Sequence, residues 1–142
     1  MENSEEGVQF GTLNVVANDE RREIREREFP DSSVQLFVVK DGTQPLGQHY
    51  HRKKVEIFYF TEGGGIIYTA QVNSVGEIVG EVKKFEVVPG VIIRIPPYHT
   101  HRFDLLPGTR FVAFSSKPFD QKDMPSCTIK YAESIRASLR GS

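Results

Sequence analysis

The chain of 142 residues has a single cysteine, Cys127, and no tryptophan. A lone thiol cannot close an internal disulfide, so nothing in the sequence asks for an oxidising compartment. With no histidine or cationic cluster beside it to lower its pKa, Cys127 reads as a small packed residue rather than a nucleophile. Charge of one sign is lacking too: 18 Lys+Arg against 19 Asp+Glu leave a formal net charge of -1. That balance gives no general attraction to phosphate backbones or anionic lipid, and predicts neither nucleic acid nor membrane as a partner. No apolar run approaches the ~20 residues needed to span a bilayer. The acidic lead from Met1 to Gly7 has neither the basic start nor the apolar stretch of a signal peptide, which predicts a cytoplasmic protein.

What the chain does have is a succession of short β-branched and aromatic runs separated by Gly and Pro, the pattern of an all-β barrel or sandwich. The runs are Val34–Lys40, Val55–Glu62, Gly65–Asn73, Ile78–Val88, Val91–Ile95, His101–Leu106 and Thr109–Ser115. Asp41-Gly42, Gly63-Gly64-Gly65, Pro89-Gly90, Pro96-Pro97 and Pro107-Gly108 supply the turns between them. Hairpin after hairpin is the simplest wiring. Residues 1–11 read as a flexible lead-in, 12–130 as one β-barrel domain and 131–140 as a short C-terminal helix, because Tyr131, Ile135 and Leu139 recur every fourth residue. Thr12–Ala17 is an apolar strand that one small barrel need not cover, so it predicts pairing at an edge or with a second subunit. In the charged stretch Asp19–Glu28, Arg and Glu alternate without a helical apolar face, and strand, turn and helix all remain open.

All four histidines fall into two His-x-His pairs, His49-Tyr50-His51 and His99-Thr100-His101. On a strand the side-chain period is two, so each pair puts both imidazoles on one face, close enough to share an ion. Glu56 follows His51 by five residues, an offset that would point it the wrong way along one straight strand. Arg52-Lys53-Lys54 between them reads as a turn that resets the facing and returns Glu56 to the interior. His49, His51, Glu56 and a histidine of the second pair thus make a candidate site for one divalent transition metal: Zn, Fe, Mn, Ni or Co all suit imidazole and carboxylate. Tyr59, Tyr68, Gln71, Arg94 and Arg110 are polar strand residues that can line such a cavity. Tyr68 is the first choice for a catalytic proton carrier, because a phenol near a cation is lowered from its usual pKa of ~10. Phe58, Phe60, Phe85, Phe103, Phe111 and Phe114 read as barrel core.

Gly47-Gln48-His49-Tyr50-His51-Arg52-Lys53-Lys54-Val55-Glu56, followed by six residues and then Gly63, resembles the first motif of the cupin superfamily. Ile95-Pro96-Pro97-Tyr98-His99-Thr100-His101 resembles the second, with Tyr98 where that motif prefers glycine. The resemblance spans residues 33–116. It implies a double-stranded β-helix, or jelly roll, with His101 rather than His99 as the fourth ligand. Among cupins the chain is most similar to the cupin domain of capsular-polysaccharide sugar reductases and, more loosely, to nucleotide-sugar ketoisomerases. That likeness implies isomerisation or epimerisation of a small keto-sugar. An iron-dependent dioxygenase of a small molecule and a non-catalytic sugar-binding domain are the competing expectations. Cupins of this kind commonly pair, which implies a homodimer.

Overall fold

Alternation of buried and exposed side chains builds the molecule. In the segment Glu56–Glu62, Glu56, Phe58 and Phe60 are buried while Tyr59 between them is exposed, as a period of two demands. The computed structural model describes residues 7–41, 45–116 and 121–129. Within these lie ten strands: β1 (Asn14–Asn18), β2 (Arg22–Phe29), β3 (Ser32–Val39), β4 (Leu46–His49), β5 (Glu56–Glu62), β6 (Gly65–Val72), β7 (Ile78–Val87), β8 (Ile92–Ile95), β9 (His99–Leu105) and β10 (Arg110–Ser115). A single 3-10 turn, Gln121–Asp123, follows. The C-terminal helix expected at 131–140 lies outside the described residues, as do positions 1–6 of the lead-in.

The strands form two antiparallel sheets, one in the order β1-β2-β3-β10-β5-β8 and one in the order β4-β9-β6-β7. Successive hairpins account only for β1–β2, β2–β3 and β6–β7. The pairings β3–β10, β5–β10, β4–β9 and β6–β9 join strands distant in sequence. This is jelly-roll wiring rather than a simple meander. The core lies between the sheets: Phe58, Phe60, Phe103 and Phe111 interlock there with Ile67, Ile95, Leu105 and Ala113. Each of the phenylalanine, isoleucine and leucine side chains contributes ~1.5–3 kcal/mol by leaving water.

Two of the phenylalanines expected inside are not. Phe85 lies on edge strand β7 and Phe114 on the outer face of its sheet, both substantially exposed. Phe37 takes a core place instead, stacked on Phe111 at 4.5 Å. The ambiguous charged stretch is strand: β2 runs Arg22–Phe29, paired along its length with β3. β1, four residues of which lie in the expected Thr12–Ala17 segment, pairs with β2 of the same chain.

Candidate metal centre and its cavity

A β-bulge sets the first two histidines. Along β4 the register advances from Gly47, opposite Arg102, to His49, opposite His101, so Gln48 is the extra residue. Gly47 and Gln48 both take positive φ, 86° and 69°. A Cβ on Gly47 would stand 2.5 Å from the carbonyl oxygen of His101, so only glycine allows β4 and β9 to approach this closely. The bulge turns His49 inward to face His101, with ring centroids 4.7 Å apart.

The chain leaves β4 after His49, bends through Arg52 and Lys53, and enters β5 at Glu56. The bend is fastened from outside the barrel motifs by Asp123 of the 3-10 turn. Its carboxylate accepts the Arg52 and Lys53 backbone N–H groups at 2.8 and 3.1 Å. Its carbonyl oxygen lies 2.7 Å from His51 Nδ1. A carbonyl accepts only, so Nδ1 carries the proton and Nε2 presents its lone pair to the interior. His101 Nδ1 likewise lies 3.3 Å from the carbonyl of His99.

Further on, the segment crosses the outside of the site. Ser126 bridges to His49, and the Cys127 N–H donates to the Gln48 carbonyl. The Thr100 hydroxyl donates to the Cys127 carbonyl, and the Ile129 N–H donates to Gln48 Oε1 at 3.0 Å. Both histidine-bearing segments are thus tied to one strap.

His49, His51, Glu56 and His101 converge so that one donor atom from each lies within 4.8 Å of all the others. His51 Nε2 is 3.1 Å and His101 Nε2 3.8 Å from the same atom, Glu56 Oε1. Yet His51 Nε2 and Glu56 Oε1 are buried without the geometry of a hydrogen bond. Two lone-pair donors aimed at one point and unsatisfied by each other are what a cation between them would complete. The donor set, three imidazoles and a carboxylate without thiolate, fits one divalent transition metal.

The electrostatics point the same way. Burial, then the neighbouring His101 and His51, push His49 down to about 3. Burial and His51 also lower His101, against the pull of Glu56. Burial would raise Glu56, but His51, His101 and Lys54 outweigh it and hold the carboxyl at about 2. His49 and His101 therefore rest as neutral imidazoles and Glu56 as an anionic carboxylate, the forms that bind metal.

These residues floor a cavity of about 620 Å³. Phe37, Phe58, Phe103, Phe111, Ile24 and Leu46 form much of its wall, and Arg21, Arg22, Glu26, Gln35 and Lys54 supply polar groups.

Tyr68 does not reach it. On β6, Thr69 stands opposite His101 and Ile67 opposite Phe103, so Tyr68, opposite Arg102, points out of the other face. There it is fully buried against Ile129, Ile66, Ile78 and Val82. The expectation of an interior tyrosine is corrected: the strap, invisible in the local pattern, gives the outer face of β6 a core of its own. Tyr59, Gln71, Arg94 and Arg110 do not line the cavity either. His99 is the first residue of β9, its Nδ1 3.0 Å from the Pro97 carbonyl, and stands apart from the converging donors. Tyr98 takes φ 59°, the left-handed conformation for which glycine is preferred at that position. Hydrogen bonds from its N–H to the His51 carbonyl and from the Val72 N–H to its own carbonyl hold it there.

Sequence reasoning missed Asp123 and Glu26. Nothing near Asp123 marks it as a partner of residues some seventy positions earlier. For Glu26 a signal existed, since Arg22, Ile24 and Glu26 share one face by the strand period and Ile24 marks that face as inward.

No protein-family model and no curated protein sequence matches the chain. Solved structures do. The chain is similar to CapF bound to the inhibitor 3-isopropenyl-tropolone, with TM-score 0.70, 24% identity, and 83% of this chain and 34% of that one covered. It is similar to the capsular polysaccharide assembling protein CapF of Staphylococcus aureus, with TM-score 0.67, 22% identity, and 84% and 33% covered. It is also similar to Pac13, a nucleoside dehydratase, with TM-score 0.60, 14% identity, and 84% and 92% covered. The chain thus spans about a third of the length of CapF and nearly the whole of Pac13. From its two antiparallel sheets and its structural likeness to these chains, the fold is of the cupin type.

Proposed function

We propose that this protein is a metal-dependent isomerase or epimerase acting on a small keto-sugar or nucleotide sugar. One observation carries the reading. Three imidazoles and a carboxylate, with His51 Nε2 and Glu56 Oε1 left unpaired, lie at the floor of a cavity of about 620 Å³. Four protein donors leave positions open on a five- or six-coordinate ion, and the cavity has room for a small substrate beside it. When bound, a divalent ion supplies a Lewis acid for a carbonyl oxygen. His49, His51, Glu56 and His101 hold it. The aromatic residues make much of the wall apolar, and Lys54, 3.9 Å from Glu56 Oε2, is placed to favour negative charge developing beside the site. By their descriptions, one structural neighbour is a capsular polysaccharide assembling protein and another is a nucleoside dehydratase.

The test is hydrogen exchange: keto-sugars and nucleotide keto-sugars are incubated with metal-loaded protein in D2O and followed by proton NMR. Loss of the signal of a proton on the carbon beside the carbonyl is the expected result. A full panel without exchange would sink the reading. The aromatic walls favour a second reading, oxidation of a small apolar molecule by bound Fe(II) and O2. Oxygen uptake with the iron-loaded protein distinguishes it.

A further inference from the structure

The cavity has a second wall with chemistry on it. β2 and β3 carry another part of the lining, where Glu26 and Gln35 face one another as a cross-strand pair. Ile24 and Phe37, the next pair along the same face, are apolar. Gln35 Nε2 donates to Glu26 Oε1 at 2.9 Å, fixing the carboxyl in a partly buried position. The other polar lining groups are engaged or unsuited. Arg22 and Arg21 are paired with Asp19, and a guanidinium does not give up its proton. Lys54 lies against Glu56. Among the described lining residues outside the converging donors, Glu26 is the one carboxyl.

We propose that Glu26 is the proton-transfer residue of this site, an inference that rests on the isomerase reading above. The C–H bond beside the substrate carbonyl breaks, its proton goes to Glu26 Oε2, and its electron pair enters the C=C bond of an enediolate as the carbonyl π electrons move to oxygen. Glu26 then returns the proton to the former carbonyl carbon, where the C=C electron pair forms the new C–H bond, while the hydroxyl proton of the carbon first deprotonated passes to the original carbonyl oxygen and leaves a carbonyl on that first carbon. Nothing is oxidised overall and no co-reactant is consumed. A single base on one wall returns the proton to the face it took it from. The chemistry is therefore a shift of the carbonyl between adjacent carbons, not inversion at one carbon.

The surroundings of Glu26 suit a base. Burial, and then Glu28, raise its carboxyl above the ordinary value, against the opposing effects of the Gln35 bond and Lys54. A general base works best when its pKa lies near the operating pH.

The test compares wild type, Glu26→Gln and Glu26→Asp, each loaded with Zn²⁺ or Mn²⁺. Exchange in D2O is measured on dihydroxyacetone, fructose and a nucleotide 4-keto-sugar. Glu26→Gln should slow exchange by ~10²–10⁴-fold with metal content and melting temperature unchanged, and Glu26→Asp should restore part of it. Independently of activity, carbon-13 NMR should show the Glu26 carboxyl, assigned by its absence in Glu26→Gln, titrating above the ordinary glutamate value of ~4.3. Exchange by Glu26→Gln within a few-fold of wild type would overturn the role of Glu26 and leave the isomerase reading standing. A titration midpoint at or below the ordinary value would also overturn it. Absence of exchange by wild type on every sugar would overturn the reading and this role with it.

Discussion

At the scale of single residues, the ligand types and their spacing were readable because both follow from local rules. His49 and His51 share a face by strand period, and the cationic triplet before Glu56 is the turn that lets it face inward. What could not be read was anything supplied from far along the chain. Asp123 is the instructive case: it fixes His51 Nδ1 through its carbonyl and the bend at Arg52 and Lys53 through its carboxylate. Groups that orient a ligand typically affect metal affinity ~10–100-fold. Asp123→Ala should weaken Zn²⁺ binding by that order in a competition titration, and Asp123→Asn, which keeps one acceptor oxygen, by less. Equal affinity in all three proteins would remove Asp123 from the site.

Tyr68 gives the opposite lesson, since its facing depended on which side of β6 the strap covers. Its hydroxyl is buried without a hydrogen-bond partner. Tyr68→Phe should therefore leave metal content unchanged and the melting temperature equal or higher, because an unsatisfied buried hydroxyl is removed. A large drop in either would show a bond that this geometry lacks.

Residue chemistry also sets the pH response of the metal-free protein. His49 is held down to about 3, below its usual 6.5, so under acid the unfolded chain takes up the proton first. Its contribution to stability is present above ~6.5 and is lost as pH falls towards 3. Glu56, at about 2 against 4.5, contributes above 4.5 and loses that contribution as pH falls towards 2. Both signs agree: melting temperature should fall as pH drops below 6.5. A rise on acidification would contradict this assignment of charge states.

At the scale of elements, period-two alternation found most strands within a few residues, but it could not find partners. The pairings β4–β9 and β3–β10 are set by closure of the two sheets, which no local signal encodes. The stretch Asp19–Glu28 was ambiguous because its inward residues, Arg22 and Glu26, are polar and so hide the alternation that Ile24 alone betrays. The bulge at Gly47-Gln48 is where an element fixes the site. Gly47→Ala places a Cβ against the His101 carbonyl at a φ of 86°. The variant should unfold at lower denaturant and bind metal more weakly, since the shift needed to relieve the clash moves His49 and His101 apart. Unchanged metal affinity would mean that β4 and β9 are held by something other than this close approach.

At the scale of the whole molecule, the resemblance supplied the fold class, the choice of His101 over His99 and the expectation of a homodimer. β1 pairs with β2 at the outer edge of its sheet, the first of the two pairings expected for it. The outer face of the six-stranded sheet carries Val34, Leu36, Ile57, Tyr59, Ile92, Val112 and Phe114 side by side, with Tyr59, Ile92 and Phe114 exposed. A self-complementary face of this kind suits a twofold homodimer, which remains our proposal. Light scattering should give twice the 16.1 kDa chain mass for wild type and less for Phe114→Lys. A monomer mass for wild type at micromolar concentration would refute it. No helix among the described residues is long and apolar enough to cross a membrane.

The functional reading depends on one ion held by His49, His51, Glu56 and His101. X-ray absorption at the metal edge of protein loaded with one equivalent of Zn²⁺ tests that directly. The account predicts one tightly bound equivalent, outer-shell scattering from three imidazoles, a nitrogen and oxygen inner shell without sulfur, and loss of one imidazole in His101→Ala but not in His99→Ala. A sulfur shell from Cys127, or the same three imidazoles in His101→Ala, would contradict it.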